Sequence, residues 1–161
     1  LATLHDLAVA LRTSVSYLVA EDEPTPHVVR AAARPLLDAE DETVRIEALS
    51  ALPPRNLELL LVELPPGAPA GDRPHSYNGE ACILCIEGQV QLRQGDQSHV
   101  LEAGDSCHYD ARIPHAIRNT GTQTARLLVV RTPPALGLQR RQEAPAERRE
   151  AGPVPTPAPT D

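Results

Sequence analysis

Pro74-His75-Ser76-Tyr77-Asn78-Gly79-Glu80-Ala81-Cys82-Ile83-Leu84-Cys85-Ile86-Glu87-Gly88 opens the stretch on which the fold turns. It continues from Gln89 to Leu101, through Glu102-Ala103-Gly104-Asp105, and closes with Ile113-Pro114-His115-Ala116-Ile117-Arg118-Asn119. Short apolar runs alternate with turn signals at Asn78-Gly79, Glu87-Gly88, Gln94-Gly95-Asp96, Ala103-Gly104-Asp105 and Thr120-Gly121. This rhythm predicts a small antiparallel barrel or sandwich. Each glycine marks a tight inter-strand turn, and Asp105 is placed to fold its carboxylate onto nearby backbone amides.

Working outward on the N-terminal side, Asn56 to Leu64 (NLELLLVEL) lies between Pro53-Pro54 and Pro65-Pro66-Gly67. Nine residues between prolines favour a strand over a helix. Its expected faces are Leu57, Leu59 and Leu61 together, with Glu58 and Glu63 flanking. Thr43-Val44-Arg45-Ile46-Glu47 alternates as a strand does, and His27-Val28-Val29-Arg30 reads as a first short strand. Pro35-Leu36-Leu37-Asp38 is ambiguous. Asp38 to Glu42 is an acidic loop, and Glu21 to Pro26 is an acidic, proline-broken linker. Ahead of it, Thr3 is positioned to cap a helix carrying Leu4, Leu7, Ala8 and Leu11 on one face, and Ser14 a second one through Val15, Tyr17, Leu18 and Val19. On the C-terminal side, 135–161 is charged and then Pro/Ala/Thr-rich, a composition expected to stay disordered.

The 161 residues hold one ordinary domain plus extensions. With no Phe or Trp, the 41% hydrophobic content must build its core from Leu, Val, Ile and Ala. A net charge of −7 argues against nucleic-acid binding through overall charge. Three cysteines cannot all pair within the chain. Without a signal peptide or a long apolar run, the sequence predicts a soluble, cytoplasmic protein with no membrane partner. The chain starts at Leu1 and lacks methionine, which predicts a fragment of a longer product.

Thr3-Leu4-His5-Asp6-Leu7-Ala8-Val9-Ala10-Leu11-Arg12-Thr13-Ser14-Val15-Ser16-Tyr17-Leu18-Val19 resembles the last two helices of an XRE-type helix-turn-helix domain. Ala81 to Leu92 with Gly88, then Gly104-Asp105, Pro114-His115 and Asn119, resembles the two half-motifs of a small cupin. That resemblance covers roughly 56–134. Together they look like an XRE-cupin transcription regulator. The implied fold is mainly β, a cupin-type double-stranded antiparallel β-barrel (jelly roll) preceded by two short α-helices. The implied domains are a helix-turn-helix end at 1–20, a linker at 21–26, a cupin sensor at 27–134 and a tail at 135–161. In that family the barrel senses a small molecule and the helical domain binds an operator as a dimer. The recognition helix would precede Leu1, so this chain alone is expected not to bind specific DNA.

Metal-binding cupins offer His-x-His and a carboxylate in the first half-motif and a His in the second, a donor set suited to a divalent transition metal. This chain keeps His75 and His115, but has Tyr77 in place of the second His and Ala81 in place of the carboxylate. Glu80 is adjacent, yet one residue along a strand faces the other way. The expectation is therefore a metal-free pocket lined by His75, Tyr77, Cys85 and His115, binding a small polar effector. If a metal bound, it would draw on His75, His115 and Cys85, with His108 a further candidate. Ala81, Ile83 and Cys85 share a face by the two-residue period. By the same period Cys82 and Cys85 face opposite ways, so their Cys-x-x-Cys spacing is misleading; a redox role for Cys82, Cys85 or Cys107 is the weaker reading. Three functional classes stay open. A non-enzymatic sensor in a regulator is favoured, a metal-dependent dioxygenase or isomerase is the alternative, and a ligand-free structural barrel is the third.

Overall fold

The computed structural model describes residues 2–11, 13, 15–19, 26–54, 56–71 and 73–134. Nine strands carry the fold: β1 (Leu36–Leu37), β2 (Arg45–Ala48), β3 (Glu58–Leu64), β4 (Glu80–Glu87), β5 (Gln89–Gln94), β6 (Gln97–Glu102), β7 (Ser106–Asp110), β8 (His115–Asn119) and β9 (Ala125–Thr132). Every strand pair is antiparallel. They form a six-stranded sheet in the order β1-β2-β3-β9-β4-β7 and a three-stranded sheet in the order β6-β5-β8. The sheets remain two separate ladders, so the expected closed barrel is corrected to an open jelly roll.

Alternation builds the core. Leu60, Val62 and Leu64 of β3, Ala81, Ile83 and Cys85 of β4, and Ala125, Leu127 and Val129 of β9 are buried. They meet Val90 and Leu92 of β5 and Ile117 of β8 in one apolar cluster. Many small aliphatic contacts thus replace the area that aromatic rings usually contribute. Asn119, fully buried at the end of β8, ties the seam together. Its Nδ2 donates to Leu64 O at 2.8 Å and Gln123 O at 2.7 Å, and its Oδ1 accepts from Gly121 N at 2.8 Å. Asp105 Oδ2 accepts from Glu102 N at 2.9 Å, as its place after Gly104 predicts.

The N-terminal region differs from expectation. Among the described residues there is one helix, α1 (Ala2–Ala10), followed by a four-residue helical turn, Val15–Leu18. Thr3 lies inside α1 rather than capping it. Of the expected apolar face only Ala8 is buried, while Leu4, Leu7 and Leu11 stay exposed. Ser14, the expected second cap, and all but Pro26 of the linker lie outside the described residues, as does the tail from 135 onward. Residues 27–30 are not a strand: Arg30 is extended, but the segment pairs with nothing in either sheet and leads into a 3-10 turn at Ala31–Ala33. The ambiguous Leu36–Leu37 is the edge strand.

In β3 the face expected from the leucines is not the one turned inward. Glu58, Leu60, Val62 and Leu64 face the core, and Leu57 is exposed. Leu61, on the opposite face, is also buried, though outside the core cluster. An acidic residue turns inward because Arg131 stands opposite it in register on β9, with Nε 2.5 Å from Glu58 Oε2.

Gly88 makes the corner where the chain leaves one sheet for the other. Its φ is +78°, and a Cβ there would sit 2.9 Å from Ala125 Cα. Gly104 also has positive φ, +96°, but open space around it. Gly88→Ala is therefore expected to destabilise by about 3 kcal/mol and Gly104→Ala by about 1 kcal/mol, from left-handed strain with and without a backbone clash. Urea midpoints of the two variants check this; equal losses would contradict it.

Candidate functional site

One row of the large sheet sets the site. Glu58 pairs with Arg131, Arg131 with Ala81, and Ala81 with Tyr109, so four inward positions on β3, β9, β4 and β7 stand side by side. The ring of His115 lies against Tyr109, with centroids 4.8 Å apart. His75 reaches the same place from the loop before β4. Its backbone forms a two-way bridge with His115, N to O at 3.0 Å in both directions. The two imidazoles lie with centroids 4.4 Å apart and planes tilted by 57°, and Tyr77 stands edge-on to His115 at 6.1 Å. His115 is buried and His75 is exposed at the mouth.

The sequence thus placed His75, Tyr77 and His115 where they do converge. Cys85 is inward as expected, but at a different height. It sits four residues along β4 from Ala81, roughly 13 Å at strand rise. Its Sγ lies 3.5 Å from Glu87 O and 3.6 Å from Gly88 O, at the Gly88 corner. His108 is on the outer surface, where its Nε2 is 3.2 Å from Glu80 Oε2. Glu80 accordingly faces away from the mouth, as the one-residue shift predicts. Cys82, Cys85 and Cys107 are all free.

Two members of the row escaped the sequence reading. Glu58 and Arg131 form an ion pair with side chains 3% and 11% exposed. Alternation and an odd charge in an apolar run were the available signals, but the partner is 73 residues away. Arg131 Nη2 is buried and, among the described residues, has no hydrogen-bond partner. A buried charged donor left unsatisfied costs about 1–3 kcal/mol or more.

The electrostatics keep the rings neutral. Although part of His75 is open to solvent, desolvation by the protein around its ring lowers its pKa, and the neighbouring His115 and Arg131 lower it further. Burial also lowers that of His115, with Arg131 adding to the effect, against the opposing hydrogen bond to Ile113 O. His115 Nδ1 lies 3.0 Å from that carbonyl, so Nδ1 carries the proton and Nε2 is the acceptor. Burial pushes the Tyr77 phenol up to about 12 and raises Tyr109 as well. Tyr77 Oη donates to Glu80 O at 3.2 Å. The Cys85 thiol is raised by burial and by Asp105, which disfavours the thiolate.

These residues do not fit a resident metal. Two imidazoles, one with Nδ1 engaged, face a phenol held protonated, a methyl group at Ala81 and an arginine. Among the described residues no three His, Cys, Asp or Glu side chains converge as a metal site requires. What the mouth does offer is a mixed set of neutral acceptors and guanidinium donors. A groove of about 460 Å³ runs past Gly79, Tyr109, Thr132 and Pro133 and along the outer-surface residues Glu80, His108, Asp110 and Arg112. A larger groove of about 570 Å³ lies elsewhere, around His27, Val28, Leu52 and Pro53.

The two sheets define a jelly roll, and comparison with known proteins places it more closely. Residues 60–131, somewhat under half of the chain, match the family model described as Cupin_2, cupin domain. Solved structures with the same fold include an RmlC-like cupin from Shewanella frigidimarina, 16% identical, with a TM-score of 0.57 over 70% of this chain and 95% of that one. A predicted oxalate decarboxylase from Thermotoga maritima is 21% identical, with a TM-score of 0.55 over 67% and 100%. The Cupin_2 domain of an XRE family transcriptional regulator from Enterobacter cloacae is 17% identical, with a TM-score of 0.50 over 58% and 100%. At these identities the likeness is one of fold. No curated protein matches the chain. Among the described residues no helix is long and apolar enough to cross a membrane.

Two expectations follow from the site. The unfolded chain protonates its histidines near pH 6.5, whereas the folded chain holds His75 and His115 neutral to lower pH. The stability this contributes is fully present above about pH 6.5 and is lost as pH falls toward the folded values. Urea midpoints between pH 7.5 and 5.5 should fall more steeply for the wild type than for His75→Gln/His115→Gln; identical slopes would refute it. For the metal, elemental analysis after growth with added iron, manganese and zinc should find well under one equivalent. Stoichiometric metal that disappears in His115→Ala would overturn the metal-free reading.

Proposed function

We propose that this chain is the effector-binding part of a helix-turn-helix transcription regulator of the XRE type, with a small polar molecule held in the mouth around His75, Tyr77 and His115. The observation that carries the reading is the order of parts: a short helical segment first, then the cupin domain. The exposed stripe of Leu4, Leu7 and Leu11 on α1 supports it. A lone nine-residue helix in water is marginal, and an apolar stripe left open is what the last helix of a larger helical unit presents. On this reading operator contact falls to residues preceding Leu1, the protein acts as a cytoplasmic homodimer, and it is not an enzyme.

The alternative, a metal-dependent dioxygenase or isomerase, rests on the adjacent His75–His115 pair. It lacks the third and fourth donors that a divalent metal needs. Ala81 and the protonated Tyr77 stand where they would be required.

The test is DNA binding by the complete gene product. Fluorescence anisotropy on the DNA upstream of its own gene should show sequence-selective, salt-dependent binding. Adding the small molecule that binds the mouth should change that affinity by about fivefold or more. A complete product with no selective DNA binding would sink the proposal, and so would binding that no ligand of the mouth alters.

A further inference from the structure

Arg131 is an unusual residue for a cupin mouth to hide. Its Nε is committed to Glu58, across the β3–β9 ladder, at 2.5 Å. Its Nη2 is buried and unpartnered among the described residues. The other buried nitrogen without a hydrogen bond, Arg126 Nε, differs because Glu63 Oε1 lies 3.3 Å away as an ionic partner. Arg131 therefore presents a fixed donor with nothing to donate to, and Glu58 fixes its direction. The next residue in the row is Ala81, whose methyl is the smallest inward side chain between Arg131 and Tyr109. Beyond it stand His115, with Nε2 as acceptor, and Tyr77, whose hydroxyl proton is already given to Glu80 O. The groove of about 460 Å³ runs along Glu80, His108, Asp110 and Arg112 on the outer surface and touches β9 at Thr132, the residue after Arg131.

We propose that Arg131 anchors the carboxylate of the ligand, and that the ligand is a small α-hydroxy or α-amino acid. The carboxylate lies over Ala81 and accepts from Arg131 Nη2. The neighbouring hydroxyl or amino group donates toward His115 Nε2. A planar guanidinium held on one side by Glu58 is suited to a carboxylate on its other edge, because the donors are already oriented. Glu58 balances the guanidinium charge, so recognition comes from directed hydrogen bonds, and an amide lacking the anionic oxygens should bind worse.

This inference rests on the reading that the mouth binds a ligand, and it is tested on the described chain. Lactate, L-malate and L-alanine are titrated at millimolar concentration, with lactamide and L-alaninamide as controls. Shifts in the ring ¹H–¹⁵N signals of His75 and His115 are followed. At least one acid should shift both rings and bind about tenfold or more tightly than its amide, the size expected for a charge-assisted hydrogen bond. Arg131→Lys, which keeps the positive charge beside Glu58 but removes the fork, should erase that preference. Glu58→Gln/Arg131→Gln, a neutral amide pair, guards against loss of folding and should bind acid and amide alike. Ala81→Asp, which supplies its own carboxylate to Arg131, should block the acids altogether.

Amides that bind as well as acids, no response to any acid, or an acid preference that survives Arg131→Lys would each overturn the proposal. If acids bind as described but do not alter operator affinity of the complete product, the carboxylate site stands and the regulator reading falls. If an uncharged molecule alone moves the two rings and alters that affinity, the regulator reading stands and the carboxylate site falls.

Discussion

The register of β9 between β3 and β4 is the constraint on which this molecule depends. Along its length β9 pairs Ala125 to Arg131 with Leu64 to Glu58 on one side and with β4 on the other. A slip of one residue would turn Ala125, Leu127 and Val129 to the outside and bring Arg126 in. A core of small aliphatic chains, with no Phe or Trp, has no large anchor to resist such a slip. The buried Glu58–Arg131 pair resists it: moving either charge away from the other leaves a desolvated ion without a partner, a penalty of about 3–5 kcal/mol. The same pair that pins the sheet thereby aims a guanidinium into the mouth.

What the sequence made legible follows from what a two-residue period can encode. Turn residues located the β4–β9 region closely, and alternation put Ala81, Ile83 and Cys85 inward with Cys82 on the other face. Period alone says which face a residue takes and nothing about its height along the strand. That is why Cys85 read as a neighbour of His75 and His115, although it belongs to the Gly88 corner. The inward turn of Glu58 was hidden for a related reason. Leucine fills both faces of β3, so the pattern there is nearly uniform, and the residue that decides between the faces is Arg131, far away in the chain. At the N-terminus, spacing predicted an apolar face on α1, but burial depends on tertiary partners, and of that face only Ala8 is buried while Leu4, Leu7 and Leu11 stay exposed.

The mouth gathers polar side chains of defined hydrogen-bonding sense that do not, among the described residues, make up the donor set of a metal centre. Its two imidazoles are kept uncharged by burial and by a nearby guanidinium, and its phenols are kept protonated. Each ring therefore has one defined hydrogen-bonding sense, which is a property of recognition sites. The inward thiol, Cys85, is remote from the rings and held as the thiol. Asn119 contributes at a distance. By saturating its amide with Leu64 O, Gln123 O and Gly121 N, it closes the seam at the far end of β8 and leaves the His115 end as the open one.

The shortage of aromatic residues has a consequence for observing the protein. Of three tyrosines, Tyr77 and Tyr109 both stand against His115, and there is no tryptophan to collect their excitation energy. Ultraviolet emission from this chain therefore comes largely from the rim and floor of the mouth. A change in that emission reports what happens within a few ångströms of His115, so the domain carries its own label at the one place where a label would be wanted.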